Sequence, residues 1–105
     1  MPSLGFNVFK QEVKNGHKRQ TIRKHRKRPI KVGNLLYLYW HLRRVDCELL
    51  RKDVCTETFT KPWKDLKDDE NVARRDGFKS TAEMQAWFNR EGALDPEHLL
   101  DVIRW

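Results

Sequence analysis

Residues 15–42, NGHKRQTIRKHRKRPIKVGNLLYLYWHL, join a dense cationic run directly to one of the most apolar segments of the chain. That junction limits what the chain can fold into. From Leu35 to Trp40 both alternating faces are apolar, with Leu36, Leu38 and Trp40 on one and Leu35, Tyr37 and Tyr39 on the other. A strand of this kind is covered on both sides. The run before it is too charged to be buried. The fold therefore has to set a positive surface beside a core strand.

The 105 residues allow one modest core and one domain, taken as residues 1–105. With 38% hydrophobic and 10% aromatic residues, there is enough apolar material to exclude wholesale disorder. The net charge of +7 is unevenly spread. Residues 13–45 carry eleven Lys or Arg and no acid, and the remainder carries the other eleven against all fifteen acids, a net −4. Charge concentrated in this way suits a polyanion, nucleic acid first and an acidic protein or membrane surface second. The alternative is a solvated charge run with no partner. No segment approaches the ~20 apolar residues of a membrane span. The first ten residues lack the basic-then-apolar order of a signal peptide. The expectation is a soluble, cytoplasmic protein that does not enter a membrane, with a monomer as the default. Cys47 and Cys55 form neither a disulfide framework nor a zinc pattern, and read as two reduced thiols. His17, His25, His41 and His98 have no metal-ligand spacing. Neither a metal nor a cofactor is expected.

Residues 1–5 read as a lead-in. Phe6, Phe9 and Val13 make a helical stripe that Asn15-Gly16 ends. Residues 19–24 alternate as a strand with Ile22 inward, residues 25–28 form a charged loop, and residues 32–34 form a turn. After Leu35–Trp40, residues 46–50 and 53–60 predict two further strands. Residues 61–71 read as a polar loop with one helical turn. Ser80 and Glu83 have capping-box spacing and open a second helix with Met84, Trp87 and Phe88 on one face, ended by Gly92. Residues 101–105 predict a last strand. Many short strands with two main flanking helices place the chain in the α+β class, as a small mixed β-barrel.

Four motifs in order resemble a known family. They are G-x-K-x-x-T-I-R (Gly16, Lys18, Thr21, Ile22, Arg23), V-G-N-L-L-Y-L (residues 32–38), A-R-R-D-G-F (residues 73–78) and M-x-x-W-F (Met84, Trp87, Phe88). Together they resemble the ASCH domain, a PUA-like small β-barrel family associated with RNA, over roughly residues 6–105. The family often has Asp where Asn34 stands. The resemblance implies binding of RNA or of a modified nucleoside. Some small ASCH proteins look like amidohydrolases of N4-acetylcytidine, with a Lys, a Thr three residues later and a Glu from a later loop as the proposed catalytic set. The matching positions are Lys18, Thr21 and Asp76, the last an Asp in place of Glu. Ribonuclease activity has also been ascribed to family members.

Two readings of these residues stay open. In the first, the Thr21 hydroxyl attacks an amide and Lys18 takes its proton, which requires a lowered lysine pKa. Three residues of straight strand span about 10 Å. The Gly16-His17 turn would have to curl Lys18 back, and Asp76 would have to reach in from another loop. In the second, Lys18, Arg19, Arg23, Lys24, Arg26, Lys27, Arg28 and Lys31 hold phosphates, and Asp76 is a turn residue. Trp63, beside Pro62, is then the preferred exposed surface for stacking a base. His17 and His25 are candidates for acid–base cleavage of RNA, weighed against simple phosphate contact.

Overall fold

A computed structural model describes residues 2–105. The elements are β1 (Ser3–Phe6), α1 (Lys10–Lys14), β2 (Gln20–Lys24), β3 (Leu35–Trp40), β4 (Glu48–Val54), β5 (Glu57–Pro62), α2 (Trp63–Leu66), α3 (Glu70–Arg75), α4 (Thr81–Phe88) and β6 (Leu99–Arg104). They form an α+β fold with two three-stranded sheets, in the orders β1-β3-β4 and β2-β6-β5. β1 runs parallel to β3, and the other pairings are antiparallel.

The two sheets and the helices stack in three layers. Leu4, Leu36, Leu38 and Leu50 of the first sheet meet Ile103 and Trp105 in one core. On the other face of the second sheet, Ile22, Leu100 and Val102 meet Trp63, Leu66, Val72 and Met84 in another. Leu100 and Val102 alternate with Ile103 and Trp105, so β6 is the strand with a core on each side. The alternation of a strand with one exposed face is absent there because the helices cover its second face.

The barrel expected from the sequence is not closed. No ladder joins the two sheets among the described residues. They meet at a corner, where Gly33 N donates to Cys55 O (2.8 Å), Cys55 N to Asn34 O (2.9 Å) and Thr56 N to Arg104 O (2.9 Å). Cys55 and Thr56 carry the chain from β4 in one sheet to β5 in the other. The strand break therefore falls here and not between residues 50 and 53. Residues 1–5 are not merely a lead-in, because Ser3–Phe6 pairs with β3; Met1 lies outside the described residues. The Phe6–Phe9–Val13 stripe splits between β1 and α1, since Phe9 adopts a left-handed backbone (φ 62°) that starts the helix only after it. In the segment 61–71 the one helical turn expected is α2, while Lys61 and Pro62 end β5 and Glu70 and Asn71 begin α3. The Ser80 cap is present: its hydroxyl accepts from Glu83 N at 3.2 Å. The last strand starts at Leu99, earlier than expected.

The turn after α3 depends on Gly77. Its φ is 102°, and a Cβ there would lie 3.2 Å from the Phe9 ring. Phe9 in turn meets Phe78 edge-on, with ring centres 5.5 Å apart. Gly77→Ala should destabilise the fold by more than about 1 kcal/mol, because both backbone and space oppose a side chain. Urea denaturation checks this; an unchanged midpoint would show that the turn relaxes freely.

Candidate functional site

β2 carries the site by its parity. Gln20 and Ile22 face the helices, and Thr21 and Arg23 face the other way, toward the open end of the first sheet. Lys18 precedes the strand. Its amide donates to Glu12 O of α1 at 2.8 Å, so the chain there is tied to the helix and is not extended strand. The amine is directed to Asp76, and the hydrogen-bond partner of Thr21 Oγ1 is Arg23.

Lys18, Thr21 and Asp76 are brought together at the floor of one cleft of about 630 Å³, with exposures of 3%, 4% and 6%. Lys18 Nζ lies 3.3 Å from Asp76 Oδ2 and donates to the Asp76 carbonyl at 2.6 Å. Asp76 Oδ1 accepts from Gln20 Nε2 at 3.3 Å, and the same amide donates to Val72 O at 3.0 Å. Gln20 Oε1 is filled by Arg104 Nε at 2.9 Å. The Lys18 ammonium also sits 5.8 Å from the centre of the Phe6 ring and 5.4 Å from that of Phe9.

Burial pushes the Lys18 amine below the ordinary lysine value, against the attraction of Asp76. Burial pushes the Asp76 carboxyl up, against Lys18 and the Gln20 hydrogen bond. The two shifts bring the proton affinities of amine and carboxyl closer together. Arg23 donates from Nε to Thr21 Oγ1 at 3.0 Å and from Nη2 to Gly5 O at 2.6 Å, and its guanidinium lies 4.9 Å from the Phe6 ring centre. Burial lowers its pKa too. Because Thr21 Oγ1 accepts from Arg23, its own proton remains available to a base. The site thus combines a hydroxyl polarised by a guanidinium with a desolvated amine and a buried carboxyl. That is the makings of a nucleophile, a base and an orienting acid.

The remaining sequence candidates divide. Arg23 and Lys24 line the cleft. Arg26, Lys27, Arg28 and Lys31 belong to the loop that follows β2 and do not line it. Arg19 lies away from the cleft, donating to Trp105 O at 2.9 Å and pairing with Asp53 at 3.3 Å. Alternation alone would set Arg19 on the face of Thr21 and Arg23. Arg19 precedes β2, however, where the chain is not yet extended strand, and its side chain is drawn to the Trp105 carbonyl. Trp63 is a correction. It is 2% exposed and packs on Phe88, ring centres 5.0 Å apart, so it offers no stacking surface. It opens α2 instead of sitting in a polar loop. His17 and His25 are apart from the cleft lining, and His25 Nδ1 is engaged with Asp101 at 2.9 Å. No group of three or more His, Cys, Asp or Glu among the described residues could hold a metal. No helix among them is long and apolar enough to cross a membrane.

Sequence reasoning missed the partners beneath the charges, Phe6 and Gln20. It also missed the opposite rim, where the Arg90 guanidinium stacks 3.9 Å from the Trp87 ring centre. α4 ends at Phe88, before the Gly92 stop expected from the sequence, so Arg90 reaches Trp87 from beyond the helix.

Similarity to known proteins agrees with this fold. No family model matches the chain, and no curated protein sequence does. A crystal structure of an ASCH domain from Lactobacillus crispatus JV V101 matches it with a TM-score of 0.63. The match covers 98% of this chain and 77% of that one at 14% sequence identity. The chain has the fold of an ASCH domain.

The ion pair is open to test by stability. Lys18→Met leaves Asp76 buried without its countercharge and should cost about 3–5 kcal/mol. Lys18→Met with Asp76→Asn should be clearly more stable than Lys18→Met alone. Denaturant unfolding of the two variants measures this, and equal stabilities would mean that the carboxylate is not held by the amine.

Proposed function

We propose that the cleft binds a nucleoside of RNA, or a free modified nucleoside, with Arg23 and Lys24 as its cationic wall. The cleft has the volume of a small-molecule site, which typically falls between ~300 and ~1,000 Å³. Its half-buried Trp87 and Phe88 are available to a base, and the excess positive charge of residues 13–45 adjoins it. ASCH resemblance in motif and in fold supports the same reading. If five phosphates are neutralised, log K for a single strand should fall against log salt with a slope of about −3.5. Lys18→Ala combined with Arg23→Ala should reduce binding, with folding checked by circular dichroism. Salt-insensitive binding, or none to RNA of several sequences, would reject the reading.

The buried Lys18–Asp76 pair beside Thr21 favours a sharper second reading, hydrolysis of the acetyl amide of N4-acetylcytidine. Phosphate binding alone has no use for a desolvated amine that shares its pocket with a carboxyl. In this mechanism Thr21 Oγ attacks the acetyl carbonyl as Lys18, in its neutral form, takes the hydroxyl proton. The exocyclic amine of cytidine leaves with that proton, and water then releases acetate from Thr21. The Arg23 hydrogen bond makes the hydroxyl more acidic, and Asp76 positions the amine.

The pH dependence follows from the sign of the lysine shift. A base must be deprotonated, and burial lowers the Lys18 pKa, so the rate should rise with pH and level off below the ordinary lysine value of ~10.4. Incubation with N4-acetylcytidine and detection of free cytidine measures it. Thr21→Ala should remove turnover with the fold intact. Absence of cytidine from pH ~6 to ~9 in the unaltered protein would reject hydrolysis while leaving nucleoside binding to its own test.

A further inference from the structure

Two of the eleven basic residues of segment 13–45, Arg43 and Arg44, are carried by the connection between β3 and β4, residues 41–47, and neither lines the cleft. Arg43, Arg44 and Val45 stand at its tip, all exposed. Neither arginine forms an ion pair among the described residues. The one carboxylate of the tip, Asp46, is engaged by His41 Nδ1 at 2.6 Å.

This tip is fastened to the cleft wall. His41 N donates to Phe6 O at 3.0 Å. Leu42 lies so close to Gly5 that a Cβ on the glycine would fall 2.8 Å from Leu42 Cβ. Gly5 and Phe6 line the cleft, and Gly5 O accepts from Arg23. The tip is also ordered from within. Arg44 N donates to His41 O at 3.0 Å, Cys47 N donates to Arg44 O at 3.1 Å, and the His41 ring stacks on Trp40 at 4.2 Å. His41 and Arg43 hold left-handed backbones, φ 48° and 70°, a conformation that costs free energy in residues with a Cβ. Two unpaired guanidiniums are thus displayed on a strained, braced loop that is bonded to the wall of the cleft.

On the other flank, Lys24 belongs to the wall itself and leads into the exposed Lys27, Arg28 and Lys31. A free nucleoside would occupy the cleft and leave both sets of charges unused. A strand passing the cleft would use both.

We infer that Arg43 and Arg44 form a second phosphate contact, so that the ligand is a single strand of nucleic acid. One nucleoside enters the cleft, and the flanking phosphates lie on the loop after β2 and on the β3–β4 tip. This rests on the cleft binding a nucleoside. The shared chemistry is the phosphodiester strand, and RNA and DNA are its two sources.

The test compares cytidine, single-stranded RNA and single-stranded DNA of about 12 nucleotides, and vesicles containing phosphatidylserine, by titration at several salt concentrations. The unaltered protein should bind at least one strand more tightly than cytidine. Arg43→Gln with Arg44→Gln, checked for an unchanged thermal midpoint, should make the salt slope shallower by about 1.4 for two lost single-strand phosphates. The same slope and affinity in the variant would overturn the proposal. So would cytidine binding as tightly as either strand, a result that leaves the nucleoside cleft standing. Binding of neither cytidine nor strand would reject the cleft reading along with it. Vesicle binding that is lost in the variant, without strand binding, would reassign the tip to an anionic lipid surface and overturn the proposal.

Discussion

The Lys18–Asp76 ion pair is the constraint around which the structure is arranged. Removing two charges from water costs several kcal/mol per ion, and attraction offsets this only when the hydrogen bonding is complete. Here it is supplied from three directions. The Asp76 carbonyl accepts from the amine, Gln20 donates to the carboxylate, and Phe6 and Phe9 lie near the ammonium. Gln20 also reaches Val72 O and takes Arg104, so the network ties β2 and β6 to α3. Apolar residues of similar volume would join these elements about as well. Charges retained at the floor of a cleft are what mark it as the candidate site.

The position of the site follows from β6. Because that strand is buried on both faces, the two cores share it, and β2 beside it is the second sheet's edge on the cleft side. Alternation along β2 then sorts its residues. Gln20 and Ile22 serve the helical core, whereas Thr21 and Arg23 turn toward β1. Arg23 spans that gap to Gly5 O and so joins the two sheets where no ladder does. The unclosed barrel and the cleft are two aspects of one fact: the opening between the sheets' strands is filled at one end by backbone bonds and at the other by the side chains of the site.

Local chemistry was legible in the sequence, and long-range geometry was not. The Ser80 cap and the strand at Leu35–Trp40 were readable because each is set by neighbours within a few residues. The strand is not covered on both sides as expected, however: Leu36 and Leu38 are buried, whereas Leu35 is exposed and Tyr37 and Tyr39 are half-buried. Asp76 was reachable only through the family resemblance, since nothing near it in sequence says that it faces Lys18. Trp63 misled because a polar neighbourhood in sequence is not one in space: α2 turns that one side chain inward among Leu66, Met84 and Phe88. Arg19 belonged to the right charge cluster but to the wrong side of the chain. Charge composition says which segment is cationic, and the fold decides which of its members line the cleft. The break at Cys55-Thr56 was missed because the alternation of Val54, Thr56, Thr58 and Thr60 continues through a change of sheet.

Asp101 shows how the charge of the loop after β2 is kept available. Burial opposes its ionisation, but hydrogen bonds from His25 (2.9 Å), Thr60 (2.7 Å) and the Arg26 amide (3.1 Å) outweigh that and hold its carboxyl below the usual range. Its oxygens are thereby committed to an imidazole, a hydroxyl and a backbone amide. None is committed to the side chains of Arg26, Lys27 or Arg28. The carboxylate orders the start of the loop without neutralising the loop's arginines and lysine. A depressed carboxyl pKa stabilises the fold above the unfolded value of ~3.9 and ceases to do so as pH falls through the folded one. At neutral pH the anchor is therefore fully engaged. The start of the cationic loop is held in place, and the protein leaves the charge of Lys27 and Arg28 unpaired among the described residues.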